Sequence, residues 1–395
     1  MNIIMYKQIK ILFSCLINNM LLLSFSLFSC PLFDYYPTLK TKLSYIELCK
    51  LPTPVLRAST LEKELNKNSI LVKALYIKND CYSCGNKKFG GNKPRKLEFL
   101  LADVKNKNTS TICTTGGAGS NSAIAVACHA KDLGIKSILV LCPQRNTTDT
   151  KRNLKLGLSY EAQFIFAPNV QERDKICDKL CKDNNFYFVP SGVSNKIGMC
   201  GFVNAAFELK EQIKNGLLPE PDIIYITFGT GGTYSGLFVG AKAAGLKSII
   251  IPVKISPYKP ELKLLETKIT EVNFYLHELD NTFPIVSVPE TSLPINTNFT
   301  GEEFSHITKE ASDAIELLYK TEHIKLDGTF TGKAFAALLS DAQKGLLKDK
   351  NILFWNTFCS GDFTEETKDV DITKLPEELQ KYITTYPLQP FDQGV

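Results

Sequence analysis

A chain of 395 residues that is 44% hydrophobic has enough apolar material for a sizeable core, which excludes a disordered polypeptide and suits two modest domains or one large one. The net charge of +5, from 46 basic and 41 acidic residues, is too thin for a nucleic-acid surface, and no basic tract is interleaved with aromatics. Twelve cysteines are too sparse for a disulfide scaffold; several sit inside apolar runs such as Val126-Ala127-Cys128, and no metal site is expected.

Lys7 and Lys10 precede the mostly apolar run from Ile11 to Ser29, which ends Leu27-Phe28-Ser29-Cys30. Residues 1–30 therefore read as a hydrophobic leader: a signal peptide with a loose lipoprotein-type cleavage site, or a short membrane tether. Met5 and Met20 are alternative starts. Export or membrane anchoring follows from the first reading, a cytoplasmic protein from the second.

The globular part opens with Leu51-Pro52-Thr53-Pro54-Val55, extended because each residue before a proline is pushed out of the helical region. Residues 69–78 are β-rich. Cys81-Tyr82-Ser83-Cys84 follows with zinc-knuckle spacing but no second ligand pair, so it reads as a redox or incidental pair. Gly90-Gly91-Asn92-Lys93-Pro94-Arg95-Lys96-Leu97-Glu98 then turns into a helix, since proline is tolerated in a first turn. The chain continues as strand 111–115, helix 123–133 and strand 137–141, which make one βαβ unit. Strand 162–167, a helix over 170–181, strand 186–190 and a helix over 201–213 come next. Strand 222–227, helix 234–244, strand 248–253, helix 309–319 and strand 352–355 complete the alternation, which predicts an α/β protein with parallel sheets flanked by helices.

Three stretches carry chemistry. Lys93 is either part of a solvated basic turn or a lysine held at a buried helix start, where lost proton affinity makes it a nucleophile towards an aldehyde. Gly229-Thr230-Gly231-Gly232-Thr233 lies between a buried strand and a helix N-terminus, which makes it an anion cradle or a ligand-free tight turn. It is neither a P-loop, lacking Gly-Lys-Ser/Thr, nor a dinucleotide fingerprint. Gly116-Gly117-Ala118-Gly119-Ser120-Asn121 is a second anion-friendly turn, or a plain strand-to-helix turn with a capping side chain.

These three stretches and Phe330-Thr331-Gly332-Lys333-Ala334, in this order and approximate spacing, resemble the pyridoxal-phosphate (PLP) enzymes of the aminocyclopropanecarboxylate deaminase and D-cysteine desulfhydrase family, of the tryptophan-synthase-β-like fold type II. The likeness runs from about Leu51 to Asp362. It implies two domains, a large one of residues 31–95 and 207–395 and a small inserted one of 96–206, with the cofactor in the cleft, and a homodimer. It implies that Lys93 bonds covalently to PLP, that Asn121 hydrogen-bonds the cofactor ring, and that Ser120 faces the substrate and assists proton transfer. Lys96 and the amides of Gly229, Thr230, Gly231, Gly232 and Thr233 would hold the phosphate. Phe330 would stack on the pyridine and Thr331 would meet its nitrogen, with Ser122 and Phe304 on the substrate side.

The deaminase branch carries a glutamate where this chain has Thr331. A neutral hydroxyl leaves the ring nitrogen mostly unprotonated, which suits β-elimination, so the resemblance implies a desulfhydrase-like lyase acting on a small amino acid. Ring-opening deamination of aminocyclopropanecarboxylate is the alternative. The chain also departs from the family: Phe330 and Phe304 replace tyrosines, Ser122 replaces a histidine or glutamine, and Asn356-Thr357-Phe358-Cys359 replaces His-Thr-Gly-Gly. Loss of several proton handlers implies a different substrate, a slow enzyme, or a catalytically degenerate PLP-binding or sensor protein.

Overall fold

A computed structural model describes residues 30–67, 70, 72–85, 88–257, 262–288 and 293–392. The leader read as a signal peptide or tether falls, but for Cys30, outside the described residues, among which no helix is long and apolar enough to cross a membrane.

In chain order the strands are β1 (Val55–Arg57), β2 (Ala74–Asn79), β3 (Thr111–Gly117), β4 (Lys136–Cys142), β5 (Gln163–Phe166), β6 (Tyr187–Val189), β7 (Ile223–Phe228), β8 (Ile249–Lys254) and β9 (Asn351–Asn356). The helices are α1 (Pro31–Tyr35), α2 (Pro37–Lys42), α3 (Ser59–Lys67), α4 (Lys93–Asn106), α5 (Asn121–Asp132), α6 (Thr148–Ser159), α7 (Val170–Asn184), α8 (Lys196–Lys214), α9 (Gly232–Ala243), α10 (Leu262–Leu279), α11 (Lys309–Glu322), α12 (Thr331–Gln343), α13 (Thr364–Thr367) and α14 (Glu377–Thr384).

Two sheets result. One has the order β1-β2-β9-β7-β8, parallel except for the antiparallel edge strand β1; the other is wholly parallel, in the order β5-β4-β3-β6. Parallel strands are covered on both faces, so they read as continuous apolar runs. Ile224, Ile226, Phe228, Leu353 and Trp355 pack with α8 and α9, while Tyr225, Ile352 and Phe354, one residue out of step, pack with α11 and α12. In the second sheet Ile112, Leu139, Leu141 and Val189 face α4 and α5; Cys113, Ile138 and Val140 face α7.

Capping side chains set the helix starts that apolar periodicity alone misplaces. Asn195 accepts from the Gly198 amide at 2.9 Å, so α8 begins at Lys196 and not at Gly201. Thr147 accepts from the Thr150 amide at 3.0 Å and starts α6, a helix absent from the sequence reading, as are α10 and α12.

Beneath α4 lies a buried ion network. Arg95 donates to Asp80 and Glu208 at 2.8 Å each, Lys78 pairs with Glu208, and the Trp355 indole donates to Asp80 at 2.9 Å. Arg95, Lys78 and Asp80 have 0% exposure and Glu208 1%, so two cations and two carboxylates neutralise each other out of water. The ordinary cost of burying Glu208 is overcome by Arg95 and Lys78, which hold its carboxyl at about 2.

Candidate active site

The C-terminal ends of β3, β4, β7, β8 and β9 open onto one cavity of about 540 Å³, the place where open α/β sheets bind ligands. The strand ends and the loops leaving them supply Gly116, Gly117, Gly119, Ser120, Gln144, Gly229 to Gly231, Ile255 and Thr357 to Cys359.

Lys93 stands at the first position of α4 and lines the cavity. Its ammonium donates to Asn92 Oδ1 at 2.8 Å, and Asn92 Nδ2 donates to Thr233 Oγ1 at 3.0 Å, so one side chain ties the lysine to the glycine loop. Gly91 before it has φ +77° and lies so near the Thr357 carbonyl that a Cβ would sit 2.7 Å from the oxygen; only glycine allows this approach. Burial, opposed by the Asp327 charge, pushes the Lys93 amine down to about 8.

The loop Gly229–Thr233 feeds the N-terminus of α9, with Gly231 at φ +85° as its cap. Gly229, Thr230, Gly231 and Thr233 line the cavity, whereas Gly232 lies behind it, packed on Ser194. Lys96 does not line the cavity. It is buried and donates to the Gly192 carbonyl at 3.0 Å, beside Ser194, whose hydroxyl meets Thr230 Oγ1 at 2.7 Å. Burial, with Lys93 and Lys268 nearby, pushes the Lys96 amine well down.

Lys268, which sequence reasoning missed, donates to the Ser194 carbonyl at 2.7 Å, and its stem would lie 3.5 Å from a Cβ on Gly231. It comes from α10, whose buried Leu265, Ile269, Val272 and Leu276 repeat with helical period; that pattern was the available signal.

Ser120 caps α5, accepting from the Ala123 amide at 3.3 Å, and Asn121 Oδ1 accepts from Asn153 Nδ2 at 2.7 Å. Both line the cavity, as does Ser122, whose buried hydroxyl has no partner among the described residues. Gln144 Oε1 is likewise unpartnered and lies against Gly117. Asp149, paired with Arg152 at 2.8 Å, also lines the cavity, and burial pushes its carboxyl up to about 6. Neither Gln144 nor Asp149 belongs to a motif, so only the fold reveals them.

Phe304 and Phe330 meet edge to face across the cavity, centroids 6.0 Å apart. Thr331 is fully buried behind Phe330 and does not line the cavity. Its hydroxyl donates to Asp327 Oδ1 at 2.6 Å and accepts from the Asp327 amide at 2.8 Å. The Asp327 carboxylate also accepts from the Phe330 and Thr331 amides, and so caps α12. The lining holds no tyrosine and no histidine among the described residues.

The segment bearing Phe304 is fastened at both ends. Arg145 pairs with Glu302 and Glu303, and Lys333 donates to the Thr300 and Ile255 carbonyls. Gln389 bridges the Ile307 amide and the Ser305 and Asn146 carbonyls. Of the Cys81–Cys84 pair, Cys81 Sγ meets Ser360 Oγ, whereas Cys84 Sγ faces His129 at 3.9 Å; the two thiols serve different neighbours.

The sequence pattern of pyridoxal-phosphate dependent enzymes matches residues 46–357. A Pyrococcus furiosus protein provisionally named 1-aminocyclopropane-1-carboxylate deaminase is 30% identical over 336 residues, covering 82% of this chain and 95% of its own. A D-cysteine desulfhydrase of Serratia proteamaculans is 29% identical over 311 residues, covering 76% and 91%. The crystal structure of an ACC deaminase homologue superposes with a TM-score of 0.69 at 26% identity, over 85% of this chain and 98% of that one. With a half-buried lysine tied through Asn92 to a glycine loop at the ends of parallel strands, and four-fifths of the chain matched, this protein belongs to the family of pyridoxal-phosphate dependent enzymes.

Proposed function

We propose that the chain is a PLP-dependent lyase that eliminates the β-substituent of a small amino acid, with D-cysteine as substrate and sulfide, pyruvate and ammonia as products. The observation that carries this reading is Lys93: a cavity lysine whose amine is pushed down to about 8 by burial, tied through Asn92 to the glycine loop. The preference for elimination over deamination rests on the resemblance, in which the deaminase branch carries a glutamate where this chain has Thr331; Thr331 itself lies behind the cavity wall.

The residues fit a phosphorylated aromatic group. Backbone amides and a helix N-terminus face the phosphate end, with Lys96 and Lys268 behind them, and the Phe330 ring flanks Gly229. When bound, PLP supplies an electron sink for charge left on the substrate α-carbon. Lys93 both carries the cofactor and takes the α-proton, and Asn121 orients the ring. Ser120 and the first amides of α5 receive the substrate carboxylate. Ser122 offers its unpartnered hydroxyl, while Phe304 excludes water. Thr331 acts through Asp327, holding the start of α12 and with it Phe330.

The cavity then lies between a large unit, 31–95 with 207–395, and a small one, 96–206. The two sheets support this division, although α8 packs in the large unit's core and Phe363, Leu379 and Tyr382 pack in the small unit's core. A homodimer and a tether through residues 1–30 are further parts of the proposal.

The test is product analysis with PLP-loaded protein. Sulfide and pyruvate from D-cysteine, exceeding 2-oxobutanoate from 1-aminocyclopropane-1-carboxylate, is the expected result. Oxobutanoate alone would replace the reading by deaminase, and no turnover of either would leave a PLP-binding protein. In the same preparation Lys268→Met should weaken PLP binding about ten-fold, as loss of one partly buried charge near a phosphate costs about 1.4 kcal/mol. An unchanged PLP titration would remove Lys268 from the phosphate site.

A further inference from the structure

On the face of the second sheet that α7 covers, one helical turn along α7 from Arg173 at the cavity, three cysteines converge. Cys177 and Cys181 are one turn apart on α7, and Cys113 projects from β3 towards them. Their sulfurs all lie within 4.8 Å of one another, with Cys113 Sγ and Cys177 Sγ at 3.0 Å. Cys113 and Cys177 have 0% exposure, while Cys181 is half-buried and opens the cluster to solvent.

We propose that Cys113, Cys177 and Cys181 together bind one divalent metal ion of the zinc class, a site outside the PLP cavity and contrary to the sequence expectation of none. Zinc–sulfur bonds of about 2.3 Å at tetrahedral angles place ligand sulfurs about 3.8 Å apart, so rotamer adjustments of under about 1 Å form the site from the geometry present. A disulfide would use only two of the three sulfurs and leave the third unexplained. Helix spacing i, i+4 presents two thiols on one face, and the strand supplies the third from across the layer. The fourth position faces water on the Cys181 side.

Binding exchanges S–H protons for the ion, because thiolates and not thiols ligate a metal, with no change of oxidation state. The ion would fasten α7 to β3, the strand whose far end becomes the Ser120-Asn121 turn.

The experiment is a Co2+ titration of the reduced full chain, followed by displacement with Zn2+. One equivalent should give the charge-transfer and d–d absorption of a tetrahedral thiolate site. Cys181→Ser, the least buried of the three, should lose at least about ten-fold in affinity while keeping its fold by circular dichroism. Cys84→Ser should bind as wild type. Zn2+ should raise the melting temperature of wild type and not of Cys181→Ser. Absence of the thiolate bands, their persistence in Cys181→Ser, or a Cys113–Cys177 disulfide mapped in metal-free protein would each overturn the site.

Discussion

Lys93→Ala should abolish the visible absorption of the lysine-bound cofactor and lower turnover of any amino acid by about three orders of magnitude or more, because it removes covalent attachment and the base together. Folding should survive. The Lys93 amine is held at about 8, below its ordinary value, so below pH 8 the folded state disfavours its charge. Such a group detracts from stability at neutral pH, and removing it should leave the unfolding midpoint at or above that of wild type. The same shift sets a pH dependence: attack on an aldehyde needs the neutral amine, so the rate of PLP loading should rise as pH passes through about 8 and then level off. Turnover at the wild-type rate in Lys93→Ala, or loading that slows as pH rises through this range, would remove Lys93 from its role.

The largest effect on stability is expected from Glu208→Ala. It leaves Arg95 and Lys78 with Asp80 as the one remaining carboxylate of the network in a region with 0–1% exposure, and breaking a buried ion network from one side costs about 3–5 kcal/mol. The apparent urea midpoint, followed by tryptophan fluorescence at the network's own Trp355, should fall accordingly. The Glu208 carboxyl is depressed to about 2, so its contribution is fully present above the ordinary carboxylate range and is lost as pH falls through about 2. The gap between wild type and Glu208→Ala should therefore narrow in strong acid. A variant within about 0.5 kcal/mol of wild type at neutral pH would mean that water or rearranged partners satisfy Arg95.

The strands and the main motifs were legible because they are local. β4, β7 and β9 are apolar runs that end in glycine or polar turns, and Lys93, Ser120, Asn121 and the loop 229–233 announce themselves by their neighbours. What stayed hidden depends on the third dimension. Lys268 lies 38 residues from Thr230 in sequence, and Cys113 lies 64 residues before Cys177, so only the fold brings it to the Cys177–Cys181 pair. Thr331 illustrates the converse: the resemblance implies that it meets the pyridine nitrogen, but its hydroxyl is bound to Asp327, and a sequence does not say which way a side chain turns. The helix starts at Thr147 and Asn195 were legible in principle, as caps that periodicity ignores.

The order β1-β2-β9-β7-β8 has a consequence for how the molecule comes into being. All four strands of the second sheet come from residues 111–189, and every one of their pairings is available once that stretch has left the ribosome. The first sheet must wait. β2, made before residue 80, and β7, made before residue 229, have no ladder between them until β9 at 351–356 slots into the gap. The strand beside Lys93's own loop is thus held open for most of synthesis, with long loops to close and apolar surface in need of cover, while the half bearing Ser120 and Asn121 is free to assemble early. The cavity belongs to the end of the process, and no truncated chain lacking β9 has the means to build it.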